Sequence, residues 1–200
     1  MKLKKKAREN ILYTGKGDNG KSSLYHCDQG CISKNTNIIE ALGSLDELNA
    51  YLGIVKVYSV ASGFSIQFTN NNIKYKEIID NIQQNLFIIQ AELAGSDMGI
   101  DEDSLKNIEE IIKQIGDLLP PITSFTISGG SILSAEIDYS RTLARKAERR
   151  MVAVLEEAIH PTKPITISYL NRLSSLLFAM SRYVNYSFSI QEEHPKYNKR

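Results

Sequence analysis

Two clusters of residues in this sequence have the types and spacing needed to hold an anion. The first is Tyr13–Leu24, Y-T-G-K-G-D-N-G-K-S-S-L, with three glycines, two lysines and the hydroxyls of Thr14, Ser22 and Ser23 within twelve residues. Glycines let backbone N–H groups approach an anion closely, lysines bring charge, and hydroxyls add short donors. The stretch reads as a phosphate-binding loop or as an exposed cluster of turns. Gly15 to Gly20 followed by Lys21 and Ser22 also spells G-x-x-x-x-G-K-[ST]. That motif works only between a buried strand and a helix. Here a short apolar start at Ile11–Tyr13 precedes it and a polar loop comes after, so the match is incidental.

The second cluster is Ile137–Arg149, I-D-Y-S-R-T-L-A-R-K-A-E-R. Arg141, Arg145 and Glu148 fall at i, i+4 and i+7, with Arg149 next, which on a helix places them on one side. Ala135, Leu143, Ala144, Ala147, Met151 and Val154 supply the apolar positions of the same helix. A solvated ion-pair face usually mixes signs. Here arginine dominates, and its planar fork suits phosphate oxygens. Asp46, Glu47 and Asn49 sit among leucines in A-L-G-S-L-D-E-L-N-A, where Asp46 is either a surface residue or the partner of an arginine from another helix. Asn171, in Y-L-N-R-L-S, bonds either a ligand or a neighbouring carbonyl.

Other candidates are weaker. His26, Cys27 and Cys31 share one loop with no second pair of ligands, short of a metal site, and His160 stands at a proline turn. Tyr75, Tyr139, Tyr183 and Tyr186 read as bundle packing. No Ser-His-Asp or Cys-His pattern offers a nucleophile.

The elements that must position these groups are helices. Apolar steps of three and four run from about Asn37 to Val60, then from Ile78 to Leu93, from Leu105 to Ile115, from about Ile132 to Ala158, and from about Ile165 to Tyr186. Asp101 or Asp103 is placed to cap the third, and Pro120-Pro121 stops it. Gly43 and Gly53 inside the first weaken it or mark close packing. Residues 61–72 read as a polar connector, and no strand ladder is expected. Five long helices with short connections predict an all-α antiparallel bundle.

At 200 residues the chain forms one domain: a basic tail over 1–10, a glycine-rich loop over 11–35, the bundle over 36–186 and a C-terminal tail over 187–200. A formal net charge of +1 creates no global field for nucleic acid or an acidic membrane. No apolar run approaches the roughly 18 residues of a spanning helix. The basic start lacks the apolar region of a secretory signal, and two cysteines build no disulfide framework, so a cytoplasmic location is expected.

Four blocks in one order carry a resemblance: Y-T-G-K-G-D-N-G-K-S-S, A-L-G-S-L-D-E-L-N-A-Y-L-G, S-G-G-S-I-L-S-A-E-I-D-Y-S-R-T-L-A-R-K-A-E-R and Y-L-N-R-L-S-S-L-L-F. Together they resemble the PduO-type ATP:cob(I)alamin adenosyltransferases, over roughly Ile11 to Val184. The resemblance implies a ferritin-like five-helix bundle assembling as a homotrimer, with ATP and corrinoid between adjacent subunits. By resemblance, Thr14, Gly15, Lys16 and Gly17 wrap the triphosphate, with Ser22 and Lys34 further along. Arg145, Lys146, Glu148 and Arg149 form the nucleotide-binding segment on the arginine helix, and Asn171 completes it from the last helix. Arg141 pairs with Asp46 across the subunit interface, and Phe125 lies under the corrin ring. The chain departs from the family pattern at Lys146, where arginine is common, at Ser128, where proline often precedes the glycines, and at Gly15-Lys16, which replaces Lys-Thr.

The implied reaction moves the 5′-deoxyadenosyl group of ATP onto cob(I)alamin, giving adenosylcobalamin and triphosphate. The corrinoid's cobalt is the nucleophile, so the protein need not supply one, which agrees with the absence of a Ser-His-Asp or Cys-His pattern. Mg²⁺ is expected with the phosphates, held by their oxygens and water rather than by side chains. A reductase that delivers electrons and a B12-dependent enzyme that takes the product are the implied partners, with neither nucleic acid nor membrane. The other reading is a non-catalytic trimeric helical module that binds nucleotide or corrinoid as a sensor or chaperone.

Overall fold

The computed structural model describes residues 12–24, 32–69, 71–157 and 162–197. His26, Cys27, Cys31, His160 and the basic tail lie outside the described residues. Among the described residues five helices carry the fold: α1 (Asn37–Ala61), α2 (Tyr75–Leu93), α3 (Glu102–Leu118), α4 (Ile132–Glu156) and α5 (Pro164–Ser187). Their limits follow local chemistry. Asp101 caps α3, its side chain accepting the Ser104 N–H, and Ser131 caps α4 through the Ser134 N–H. Pro164 opens α5, where its missing N–H is harmless.

Bonds between helices fix their directions. Along α1 and α4, Glu40 faces Arg150, Glu47 faces Lys146, and Tyr51 donates to Glu136, so the two run antiparallel. Lys56 reaching Asp80 and Gln83 sets α2 against α1, and Asn171 reaching Glu148 sets α5 against α4. Buried bonds from Asn85 to the Tyr169 hydroxyl, 3.0 Å, and from Tyr75 Oη to the Met180 carbonyl, 2.8 Å, tie α2 to α5. These four helices close an antiparallel ring. The outer helix α3 is the exception: it binds α5 through Arg172 and Glu109, and Arg182 reaches the Pro120 carbonyl just beyond its end, so α3 and α5 run parallel. It contributes only Ile108, Ile111 and Ile115 to the core, a single stripe that suits a helix docked from outside.

The core is one apolar cluster in which Leu45, Leu48, Leu52, Ile79, Leu86, Ile89, Ala144, Ala147, Met151, Leu170, Leu173 and Leu177 are fully enclosed or nearly so. Burying such side chains is the dominant favourable term in folding. Ala135, expected on the apolar row of α4, is exposed: the buried row starts with Leu133 and Ile137, and Ala135 stands one turn before exposed Tyr139, outside that row. Tyr75 and Tyr183 pack inside as expected, whereas Tyr139 and Tyr186 are 51% and 54% exposed. Tyr139 instead lies on Tyr51, with ring centroids 4.8 Å apart.

Two small antiparallel hairpins correct the expectation of no strand pairing: β1 (Lys21–Ser22) with β2 (Ile32–Ser33), and β3 (Ser65–Gln67) with β4 (Asn72–Lys74). The second occupies the stretch expected to be a polar connector. Phe64, Ile66 and Phe68 alternate with polar residues, and that period of two buries Ile66 opposite Ile73. Gly43 and Gly53 interrupt nothing in α1, and a β-carbon on either would meet no other element among the described residues within 4 Å.

Candidate functional site

The glycine loop enters β1 after two turns, with the Asp18 N–H bonded to the Gly15 carbonyl at 3.2 Å and the Gly20 N–H to the Gly17 carbonyl at 3.1 Å. Gly15 and Gly20 have φ of 67° and 75°, the left-handed region where glycine is at home. β2 returns the chain so that Lys34 Nζ donates to the Gly17 carbonyl at 3.0 Å. A β-carbon on Gly17 would stand 2.9 Å from that ammonium, so glycine there lets the lysine lie against the loop backbone. Thr14, Gly15, Lys16, Gly17, Ser22 and Lys34 therefore belong to one local assembly. Ser22 is the last residue of a strand rather than the first turn of a helix, so the loop has no P-loop geometry.

Between α4 and α5 lies an open cleft of about 240 Å³ lined by Arg145, Glu148, Arg149, Val152 and Asn171. Its back wall is already ordered. Asn171 Nδ2 donates to Glu148 Oε1 at 2.8 Å, and Asn171 Oδ1 accepts from Arg172 Nη1 at 2.8 Å, with Arg172 held by Glu109 at 3.0 Å. Arg145 and Arg149 are exposed, and neither has an ion-pair partner among the described residues. Lys146 is turned the other way, to Glu47 of α1 at 2.5 Å, so it stands apart from this cleft. No described residue of the glycine loop lines the cleft within one chain.

Arg141 leaves the row of Arg145. It lines a separate pocket of about 150 Å³ with Gly129, Gly130, Asp138, Arg182 and Asn185. Its Nε donates to Asp138 Oδ1 at 2.5 Å, and the Asp138 side chain is 10% exposed. Asp46 lies in a different groove, between α1 and α2, with Asn49, Lys56, Asp80, Gln83 and Phe87. One chain therefore does not join Arg141 to Asp46. Hydrogen bonds from Lys76 and Lys56 hold the neighbouring Asp80 carboxyl below the usual carboxylate range. Phe125 sits in the loop before α4 with 79% of its surface exposed.

Sequence reasoning missed four groups here. Asp138 was legible as an i, i+3 partner of Arg141. Buried Glu92 accepts from the Lys163 N–H and the Thr166 hydroxyl, both at 2.7 Å, capping α5 from α2. Arg182, 8% exposed, is gripped by Glu192 at 2.5 and 3.1 Å. His194 Nδ1 lies 2.9 Å from both Ser124 Oγ and the Phe125 carbonyl. The last three depend on segments distant in sequence and had no local signal. Among the described residues, no group of three His, Cys, Asp or Glu side chains is arranged to hold a metal, and no helix is long and apolar enough to cross a membrane.

Comparison with known proteins supplies the remaining context. The chain is 32% identical to the corrinoid adenosyltransferase PduO of Citrobacter freundii over 178 residues, which covers 86% of this chain and 49% of that protein. A corrinoid adenosyltransferase of Mycobacterium leprae is 30% identical, over 87% of this chain and 91% of its own. The chain thus spans about half the length of the PduO relative and nearly all of the mycobacterial one. A variant PduO-type ATP:corrinoid adenosyltransferase from Lactobacillus reuteri, solved with cobalamin and ATP, superposes with a TM-score of 0.79 at 26% identity, covering 94% of this chain and 98% of that one. The family model described as cobalamin adenosyltransferase matches residues 12–184, from the glycine loop to the end of the bundle, and the chain belongs to that family.

Proposed function

We propose that this protein transfers the 5′-deoxyadenosyl group of ATP to cob(I)alamin, producing adenosylcobalamin and triphosphate. The observation that carries this reading is the state of the α4–α5 cleft. Arg145 and Arg149 offer guanidiniums without an ion-pair partner among the described residues, while Glu148 and Asn171 behind them are already bonded to each other. A site prepared in this way receives a polyphosphate without first breaking internal pairs.

The corrinoid's cobalt attacks the 5′ carbon of ATP, the bond from that carbon to the phosphate oxygen breaks, and its electron pair leaves on triphosphate. With the corrinoid's cobalt as nucleophile the chain need not supply one; it binds, orients and stabilises. Charge grows on the departing oxygen, so the Lys16, Lys21, Lys34 and Arg145 cations stabilise the transition state more than the bound substrate. Thr14, Gly15, Gly17 and Ser22 supply backbone and hydroxyl donors around the phosphates. Phe125 lies beneath the corrin ring and displaces its lower ligand, which makes the cobalt easier to reduce. Mg²⁺ would be held mainly by phosphate oxygens and water rather than by side chains, and would offset the charge of the triphosphate.

No described residue of the glycine loop lines the cleft within one chain, and Arg141 and Asp46 lie in separate grooves. Both facts support a homotrimer in which each site lies between neighbours, with Asp46 of one subunit facing Arg141 of the next. The working partners are a reductase that supplies the reduced corrinoid and a corrinoid-dependent enzyme that takes the product, in the cytoplasm. An anaerobic assay with chemically reduced cobalamin and ATP tests the reading, followed by the absorbance of the cobalt–carbon bond. Product formation is expected. Tight ATP binding with no product would support the non-catalytic module instead.

A further inference from the structure

The connection from Leu119 to Ser131 has no regular secondary structure, yet its path is held at several points. The Pro120 carbonyl accepts from Arg182 Nη2 at 3.2 Å, the Phe125 carbonyl faces His194 Nδ1 at 2.9 Å, the Ile127 N–H donates to the Glu193 carbonyl at 2.8 Å, and the Gly129 carbonyl accepts from Asn185 Nδ2 at 2.9 Å. Two of these ties come from the segment after α5. A third passes through it, since Glu192 grips the buried Arg182 that reaches Pro120. Residues 192, 193 and 194 thus each tie down the loop, the first through Arg182.

The segment is set on this path by its own turn. Ser189 has a φ of 55°, and the Ile190 N–H returns to the Asn185 carbonyl at 2.9 Å. A serine stays in that left-handed conformation only when its surroundings hold it there. The pair of buried Arg182 with partly exposed Glu192 then anchors this segment, because leaving a buried guanidinium without its carboxylate is strongly unfavourable.

We infer that residues 188–197 are a strap that sets where the Phe125 ring stands, with His194 as the positioning residue. The inference rests on the reading of Phe125 as the group beneath the corrin ring. With 79% of its surface exposed, Phe125 is not held by core packing, so the backbone that carries it determines its position. The carbonyl of Phe125 can only accept, so Nδ1 of His194 carries the proton, with Ser124 Oγ as a second acceptor. Removing that ring frees the carbonyl of the one residue whose placement the corrinoid would sense.

The test compares His194→Ala with His194→Asn in the full chain, the asparagine amide nitrogen standing near the position of Nδ1. In the unliganded protein, His194→Ala should speed amide hydrogen exchange across residues 124–128 and leave the helices unchanged. It should weaken corrinoid use, as the ratio of kcat to KM, by about five- to tenfold, the worth of one hydrogen bond, with ATP binding unaltered. It should also alter the absorption spectrum of the bound Co(II) corrinoid, which reports the lower ligand. His194→Asn should restore all three. Unchanged exchange in His194→Ala would overturn the strap. Faster exchange with unchanged corrinoid kinetics and spectrum would overturn the positioning role. A parent protein that makes no adenosylcobalamin would defeat the functional reading alone, since the exchange measurement needs no activity.

Discussion

Arg145 and Arg141 sit one turn apart on the same helix and have opposite electrostatic situations. Arg141 is neutralised by Asp138 at 2.5 Å, whereas Arg145 faces the cleft without an ion-pair partner among the described residues. In the proposed reaction Arg145 is therefore the residue whose loss should be felt most in turnover. Arg145→Ala should lower kcat by about 10²- to 10³-fold, the size of one removed oxyanion donor, with the fold intact by circular dichroism. Near-normal turnover would take Arg145 out of the charge-stabilising role. Gly130 makes a different demand. Its φ is 103°, and a β-carbon there would stand 2.3 Å from Asn185 Oδ1, the side chain that holds Gly129 and Ser131. Gly130→Ala should destabilise the protein by about 1–3 kcal/mol in urea unfolding, because both strain and lost bonds enter. A change below about 0.5 kcal/mol, the level of an ordinary surface substitution, would mean that the loop bends around the methyl.

Between elements, the seam of α1 with α4 carries polar contacts along most of its length. Asn37 reaches Glu157, Glu47 meets Lys146, and Tyr51 donates to Glu136. Burial first, and then the bond to Glu136, pushes the Tyr51 phenol from 10.0 up to about 12. Its folded value lies above its unfolded value, so its contribution to stability is complete below pH 10.0 and is lost as the pH rises to about 12. Burial raises Tyr75 and Tyr169 as well, so the parent should lose stability over that range through several phenols. Tyr51→Phe should show a smaller loss of unfolding midpoint between those limits. Equal losses in the two proteins would show that Tyr51 ionises as freely folded as unfolded.

For the whole molecule, the proposed site exists only where two chains meet. Protomers carrying Lys16→Ala keep a sound α4, and protomers carrying Arg145→Ala keep a sound glycine loop. Mixed by denaturation and refolding, they should regain about a quarter of parental turnover, the share of interfaces in a random cyclic assembly that bring two intact halves together. Each variant refolded alone should stay low. No recovery in the mixture, with mixed oligomers demonstrated by mass, would place both groups within one chain's own site and remove the shared-site proposal.

Much of the architecture is legible in the residues alone. Helix limits at Asn37, Asp101, Pro120 and Pro164 follow from apolar periodicity and from caps and prolines, which act within a few residues. The glycine loop is legible for the same reason, since Gly15 and Gly20 answer to local φ. The hairpin at Ser65–Lys74 was missed because its alternation is only a few residues long, and it is seated by distant groups: Phe64 just before it packs on Tyr75 and Tyr183, and the Gln67 N–H donates to the Tyr183 hydroxyl. The sequence by itself determined which segments are helical and which charges exist. Only the tertiary structure decided that Arg141 is held by Asp138, that Lys146 turns to Glu47, that α3 runs parallel to α5 and that the C-terminal segment grips the Phe125 loop. Charged and polar side chains choose among several partners of similar local merit, and that choice is made by how helices pack, a property of the whole chain.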